Sequence, residues 1–188
     1  MVKRRLFIAI NPPERIKNKL EKEQYQWADL PFRWTPKNNL HITLVFIGYV
    51  NDEEMLEICQ ITQEVARQYQ PFRIELERIC FAPPGKTPRM IWVTGKENIS
   101  LINIRNDLEK RIFDLPQIGY THLEKRPFKP HLTLARFKYV DWRDLSPKPS
   151  VEKEIDLSFS VESIEVMQSN LARSGATYTI LESASLAK

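Results

Sequence analysis

Glycine is scarce in this chain, with five among 188 residues, and there are only two cysteines and three histidines. So little glycine, with no biased tract, argues against a fibrous, linker-like or disordered chain. No Gly-x-Ser-x-Gly elbow is present, which leaves a Ser/His/Asp hydrolase poorly supported. No P-loop is present either, so no nucleotide-activating step is indicated. Cys59 and Cys80 fall in an expected helix and an expected strand. Without a CxxC or Cys/His cluster around them, they read as buried free thiols. No segment approaches the roughly 20 apolar residues needed to cross a bilayer. The basic start Met1-Val2-Lys3-Arg4-Arg5 leads into the apolar run Leu6 to Ile10, which is too short for a signal peptide and is ended by Pro12-Pro13. A cytoplasmic location is therefore expected.

What is present is an ordinary globular composition, 42% hydrophobic and 28% charged. The length suits one domain, residues 1–188, with two half-sized lobes as an alternative. Basic residues exceed acidic ones, 28 against 24, for a net charge of +4. The excess mildly favours an anionic partner such as nucleic acid.

Along the chain, Leu6 to Ile10 reads as a strand buried on both faces, and Pro13 opens an amphipathic helix to about Ala28. A loop over 31–39 precedes a strand over 40–48. Asn51-Asp52 offers N-cap chemistry for the next helix. Phe72 to Phe81 alternates as a half-solvated strand, with Met90 to Val93 as its hairpin partner. Leu101, Ile104, Leu108 and Ile112 mark one stripe of a helix over Ile99–Phe113. Residues 115–129 read as irregular, then a second strand starts near His131, and 141–149 is a loop. Glu154 to Gln168 and Thr177 to Leu181 are expected strands, with 169–176 as the turn between them. The pattern is α+β with two similar halves, and we expect a pseudo-twofold arrangement.

Two stretches carry that similarity, Asn39-Leu40-His41-Ile42-Thr43-Leu44-Val45-Phe46 and Phe128-Lys129-Pro130-His131-Leu132-Thr133-Leu134-Ala135-Arg136. Their shared core is His-x-Thr-Leu. In a strand, His and Thr two positions apart share one face, and the apolar residues between and after them share the other. A single such motif means little, because Thr favours strands for its β-branch. Two copies in a chain with three histidines point to a shared site. One imidazole can take a proton from water while another gives one to a leaving alkoxide, near neutral pH and with no metal required. The adjacent Thr hydroxyls can donate to a phosphate. His122, in a polar segment, reads as a solvated loop residue and not as a third metal ligand, since neither motif contains a carboxylate. No cofactor is expected.

The two motifs resemble the paired signatures of the two-histidine phosphoesterase superfamily, specifically its LigT-like RNA 2′,3′-cyclic phosphodiesterases, also called 2′-5′ RNA ligases. Arg4 to Pro12, Arg33-Trp34, Arg89-Met90-Ile91-Trp92, Gly175 and Tyr178 extend the likeness over nearly the whole chain. The resemblance implies a bilobal α+β fold, with antiparallel sheets lining a central cleft and helices outside. It implies hydrolysis of RNA 2′,3′-cyclic phosphate ends to 2′-phosphates, with RNA 3′ ends or small cyclic nucleotides as partners. No membrane partner is expected, and a monomer is expected. In it His131 matches the proton acceptor, His41 the proton donor, and Thr43, Thr133 and Arg136 phosphate-holding positions. On chemical grounds alone the two histidine roles are interchangeable. Strict alternation would turn Arg136 away from His131 unless the strand bulges or twists, and would send Phe46 into the core. Trp34 reads equally well as a base-stacking surface in the cleft, beside the cation Arg33, or as core packing. Arg89 and Lys129 could add to a positive rim. Two other activities fit the same residues: a ligase running the reverse reaction, and a module that binds RNA ends without turnover.

Overall fold

In a computed structural model of the chain, which describes residues 3–115, 128–172 and 175–187, nine strands form one antiparallel sheet. The strands are β1 (Arg4–Ile10), β2 (Arg33–Trp34), β3 (Ile42–Val50), β4 (Phe72–Ala82), β5 (Met90–Gly95), β6 (His131–Arg136), β7 (Lys153–Val161), β8 (Ser163–Ala172) and β9 (Gly175–Ser185). The helices are α1 (Glu14–Tyr25), α2 (Asp52–Ala66), α3 (Ile99–Phe113) and α4 (Tyr139–Arg143). The sheet runs β7-β4-β5-β6-β3-β1-β8-β9, with β2 added on β6. Its midline is slender: β3 and β6 pair only at Ile42 opposite Leu132. Each of these residues is the middle of a His-x-Thr triplet, so the two motifs start side by side where two half-sheets meet. The expected α+β fold with two similar halves is what the chain adopts.

Both motif strands break strict alternation at the same place. Opposite β1, residues Thr43 and Val45 face Ala9 and Ile8, so one extra residue of β3 is inserted at Leu44. Opposite β5, Thr133 and Ala135 face Trp92 and Ile91, which inserts Leu134. Such a bulge turns two successive side chains to one face and shifts the phase of everything after it. Leu44 with Val45, and Leu134 with Ala135, are accordingly all buried. The extra carbonyl of Leu134 is satisfied by the Thr35 amide at 2.8 Å and by the buried Gln24 amide of α1 at 3.1 Å.

The core lies under the sheet, where Leu6, Ile8 and Ile10 of β1 meet Ile58, Leu101, Ile104 and Leu108 of α2 and α3. The other face of β1 carries Phe7 and Ala9, which form a small separate cluster with Met167 and Tyr178. The expected double-sided burial of β1 is therefore met. Helix α2 starts in a capping box, with Asn51 Oδ1 accepting from the Glu54 amide at 2.9 Å and Glu54 Oε2 accepting from the Asn51 amide at 2.6 Å.

Several local expectations need correction. The loop expected over 31–39 holds β2 and a 3-10 turn at Lys37–Asn39, because Arg33 and Trp34 find an open edge on β6. The loop expected over 141–149 begins inside α4. The strand expected over Glu154–Gln168 is two strands broken at Glu162: β7 pairs with β4 in one half-sheet and β8 with β1 in the other. The following strands reach into the expected turn, as far as Ala172 opposite Gly175. Cys59 and Cys80 are free thiols but only half-buried. His122 and most of the expected irregular segment lie outside the described residues. No helix among them is long and apolar enough to cross a membrane.

Candidate functional site

His131 opens β6 and His41 immediately precedes β3, so each motif presents its imidazole at the junction of the half-sheets. The rings are anchored alike. His41 Nδ1 lies 2.7 Å from the carbonyl of Asn39, and His131 Nδ1 lies 2.7 Å from the carbonyl of Lys129. A carbonyl only accepts, so each Nδ1 must carry the hydrogen, which leaves each neutral ring with a bare, basic Nε2. For His41, that nitrogen is 3.0 Å from Thr43 Oγ1.

Aromatic rings fix the two imidazoles in place. His131 stacks on Trp92 with centroids 3.8 Å apart and planes 24° from parallel. His41 meets Phe7 at 4.9 Å and the edge of Tyr178 at 5.1 Å. Enclosure removes solvent from both rings, and this desolvation is the main reason their pKa values fall. His41 goes from 6.5 to about 4, helped by the charges of Arg136, His131 and Lys17. His131 is also lowered, by desolvation first and then by Arg136. Near pH 7 the free site therefore holds two neutral bases beside a guanidinium.

One cleft of about 400 Å³ contains His41, Thr43, His131, Thr133 and Arg136 together. Arg136 reaches it because of the bulge at Leu134, and Phe46 reaches it by the bulge at Leu44. The expectation that Phe46 packs in the core is thus corrected: it is 47% exposed, with the Arg5 guanidinium 4.7 Å from its ring centroid. Phe46 and Arg136 stand at the same position of the two motifs, five residues after the histidine. Trp34 does not line the cleft. It sits opposite Ala135, packs against the core, and has a buried indole N–H with no partner among the described residues. Its neighbour Arg33 takes the cleft position, and Arg89 is exposed outside the lining.

Residues not anticipated from the motifs complete the walls. Arg5 and Phe7 come from β1, Ser169 and Leu171 from β8, and Ala176 with Tyr178 from β9. Alternation within Arg5-Leu6-Phe7-Ile8 was the available signal, since it sets Arg5 and Phe7 on one face. Ser169 is buried, and its hydroxyl has no partner among the described residues. Among those residues no cluster of three or more His, Cys, Asp or Glu could hold a metal ion. The arrangement can exchange protons from two sides with a group between Nε2 atoms, and it offers hydroxyl and guanidinium donors to an anion.

Residues 10–92 match the model of the LigT like Phosphoesterase family. A protein of Methanocaldococcus jannaschii named RNA 2′,3′-cyclic phosphodiesterase is 31% identical over 95% of this chain and 98% of its own length. A Thermus thermophilus protein of the same name is 32% identical over 97% of this chain and 90% of its own. A crystal structure of a Thermus thermophilus protein superposes with a TM-score of 0.82 at 29% identity, covering 97% of both chains.

Proposed function

Since the chain belongs to the LigT-like phosphoesterase family, we propose that it is an RNA 2′,3′-cyclic phosphodiesterase, a single catalytic domain whose two lobes each supply one histidine. The observation that carries this reading is the paired anchoring of His41 and His131: both spend Nδ1 on a backbone carbonyl and keep Nε2 for one cleft.

In the proposed reaction, neutral His131 takes a proton from water as the oxygen attacks phosphorus. The bond from phosphorus to O3′ breaks, and protonated His41 delivers its proton to O3′. The products are a 3′-hydroxyl and a 2′-phosphate. Each proton transfer contributes roughly 10²–10⁴-fold. The assignment of donor and acceptor follows the family resemblance. Desolvation suits it, because an imidazolium with a depressed pKa is a strong acid toward a departing alkoxide. The anionic substrate supplies what the free site does not, a negative charge that favours protonation of one ring. Thr43, Thr133 and Arg136 hold the non-bridging oxygens.

The test is turnover of an oligonucleotide ending in a 2′,3′-cyclic phosphate, in excess EDTA, with identification of the phosphate isomer formed. A 2′-phosphate product is expected, with kcat/KM reduced about 10²–10⁴-fold in His41→Ala and in His131→Ala. Activity retained in the double variant overturns the site. Binding of RNA without turnover by the parent protein would instead favour an end-binding module.

A further inference from the structure

Arg33 and Arg136 face each other directly in the β2–β6 ladder, and both line the cleft. Neither makes an ion pair with a carboxylate among the described residues, in contrast to Arg4, Arg78, Arg105, Arg111 and Arg143; Arg5, which also lines the cleft, has no facing cation and lies over the Phe46 ring. Directly opposed residues in an antiparallel pair have Cα atoms about 4.5–5.5 Å apart, and like charges at such positions destabilise the pair. Among the described residues the hydrogen-bond partner of Arg136 Nη1 is the Met90 sulfur, at 3.0 Å, and a thioether is a weak acceptor. Two guanidiniums facing each other in one cleft with no acid between them call for an external anion.

Resting on the cyclic phosphodiesterase reading, we propose that Arg33, beside Arg136, binds the phosphate on the 5′ side of the terminal nucleotide. The protein then selects the end of an RNA chain over a nucleoside 2′,3′-cyclic phosphate. The reacting cyclic phosphate carries one negative charge, and Thr43, Thr133, an imidazolium and Arg136 already address it. Arg33 is exposed, and a Cβ added at Gly175 would meet its Nη2 at 3.7 Å, which places the guanidinium beside the start of β9. There the Asn39 side-chain amide donates to the Ala176 carbonyl at 2.6 Å, tying the segment after β2 to the β8–β9 hairpin. Arg33 thus occupies a rim braced from both half-sheets, where the next phosphate of a chain would leave the cleft. At the β1–β3 side of the cleft the Arg5 guanidinium lies over the Phe46 ring, a single cation with no second one facing it across a ladder.

The test compares kcat/KM for adenosine 2′,3′-cyclic phosphate, the same compound bearing a 5′-phosphate, and a diadenosine dinucleotide ending in the cyclic phosphate. The two compounds with the extra phosphate are expected to be favoured about tenfold, the size of one partly exposed charge-assisted contact. In Arg33→Gln that preference falls to about twofold or less, with a melting temperature no lower than the parent's because the opposed like charge is removed, while Arg33→Lys keeps part of it. The salt slope for the dinucleotide drops by about 0.7, as for one lost contact to single-stranded phosphate. Arg89→Gln, outside the cleft, leaves the preference intact. A wild-type ratio near one, or a ratio that survives in Arg33→Gln, overturns the proposal. So does a preference for the dinucleotide without one for the 5′-phosphorylated mononucleotide, which would assign the gain to the second nucleoside. If no probe is turned over, the hydrolase reading fails separately. The subsite is then judged by whether adenosine 2′,5′-bisphosphate binds more tightly than adenosine 2′-phosphate, and by loss of that difference in Arg33→Gln.

Discussion

Arg136 acts on the two imidazoles through its charge as well as on any phosphate through its donors. Burial lowers both rings first, and the guanidinium lowers them further. The kcat/KM profile reports the free enzyme, so its acid limb should lie below the ordinary histidine value of 6.5. A bound phosphate has the opposite sign to Arg136 and raises the imidazole pKa values, so the limbs of kcat should move to higher pH. Arg136→Gln removes a lowering charge and should bring the kcat/KM limbs up toward 6.5 while reducing the rate. Free-enzyme limbs at or above 6.5 in the parent protein would contradict this electrostatic account. The limbs belong to the coupled pair and not to one ring. At this scale the sequence was informative where chemistry is repeated: His41, Thr43, His131 and Thr133 stand out because no packing need explains two copies. It was ambiguous for single aromatics. Trp34 sits between the polar Arg33 and Thr35 and Trp92 between the apolar Ile91 and Val93, yet Trp34 faces the core side with Ala135 while Trp92 stacks on His131. Only the partner strand decides which face each takes.

The bulges explain a second limit on legibility. Alternation counted from His41 and His131 is correct for four residues and wrong at the fifth, because Leu44 and Leu134 are each followed by another inward-facing residue. Nothing in Leu-Val or Leu-Ala announces an inserted residue, whereas the N-cap at Asn51 was readable, since its amide chemistry acts within one turn. Asn51→Ala removes the acceptor for the Glu54 amide and should cost about 1 kcal/mol, measured by denaturant unfolding. Gly95 is the counterpart that sequence cannot reveal. It ends β5 opposite Leu76, and a Cβ built on it would lie 1.7 Å from the Glu75 carbonyl oxygen. That contact is with backbone, so no side chain can swing aside. Gly95→Ala should therefore destabilise by about 3 kcal/mol or more, with a lowered melting temperature and weakened β4–β5 pairing. A variant as stable as the parent would show that β4 can yield there.

For the molecule as a whole, the site sits on the narrowest join, where the half-sheets share the single pair Ile42–Leu132. Folding brings both rings into a desolvated cleft, so the folded state resists proton uptake that the unfolded chain accepts. With His41 near 4 in the fold and near 6.5 unfolded, stability contributed by the neutral ring is complete above about 6.5 and is lost as pH falls toward 4. His131 adds a loss of the same sign. An anion in the cleft reverses the effect by favouring imidazolium in the folded state. Sulfate should accordingly raise the melting temperature more at about pH 5.5 than at about pH 7.5, a window chosen above most carboxylate titration. A double variant, His41→Gln with His131→Gln, should show a sulfate effect nearly independent of pH over that range, because its remaining cations stay charged throughout. If parent and variant respond alike, the anion is held by arginines alone, and the two histidines do not share a charge with it.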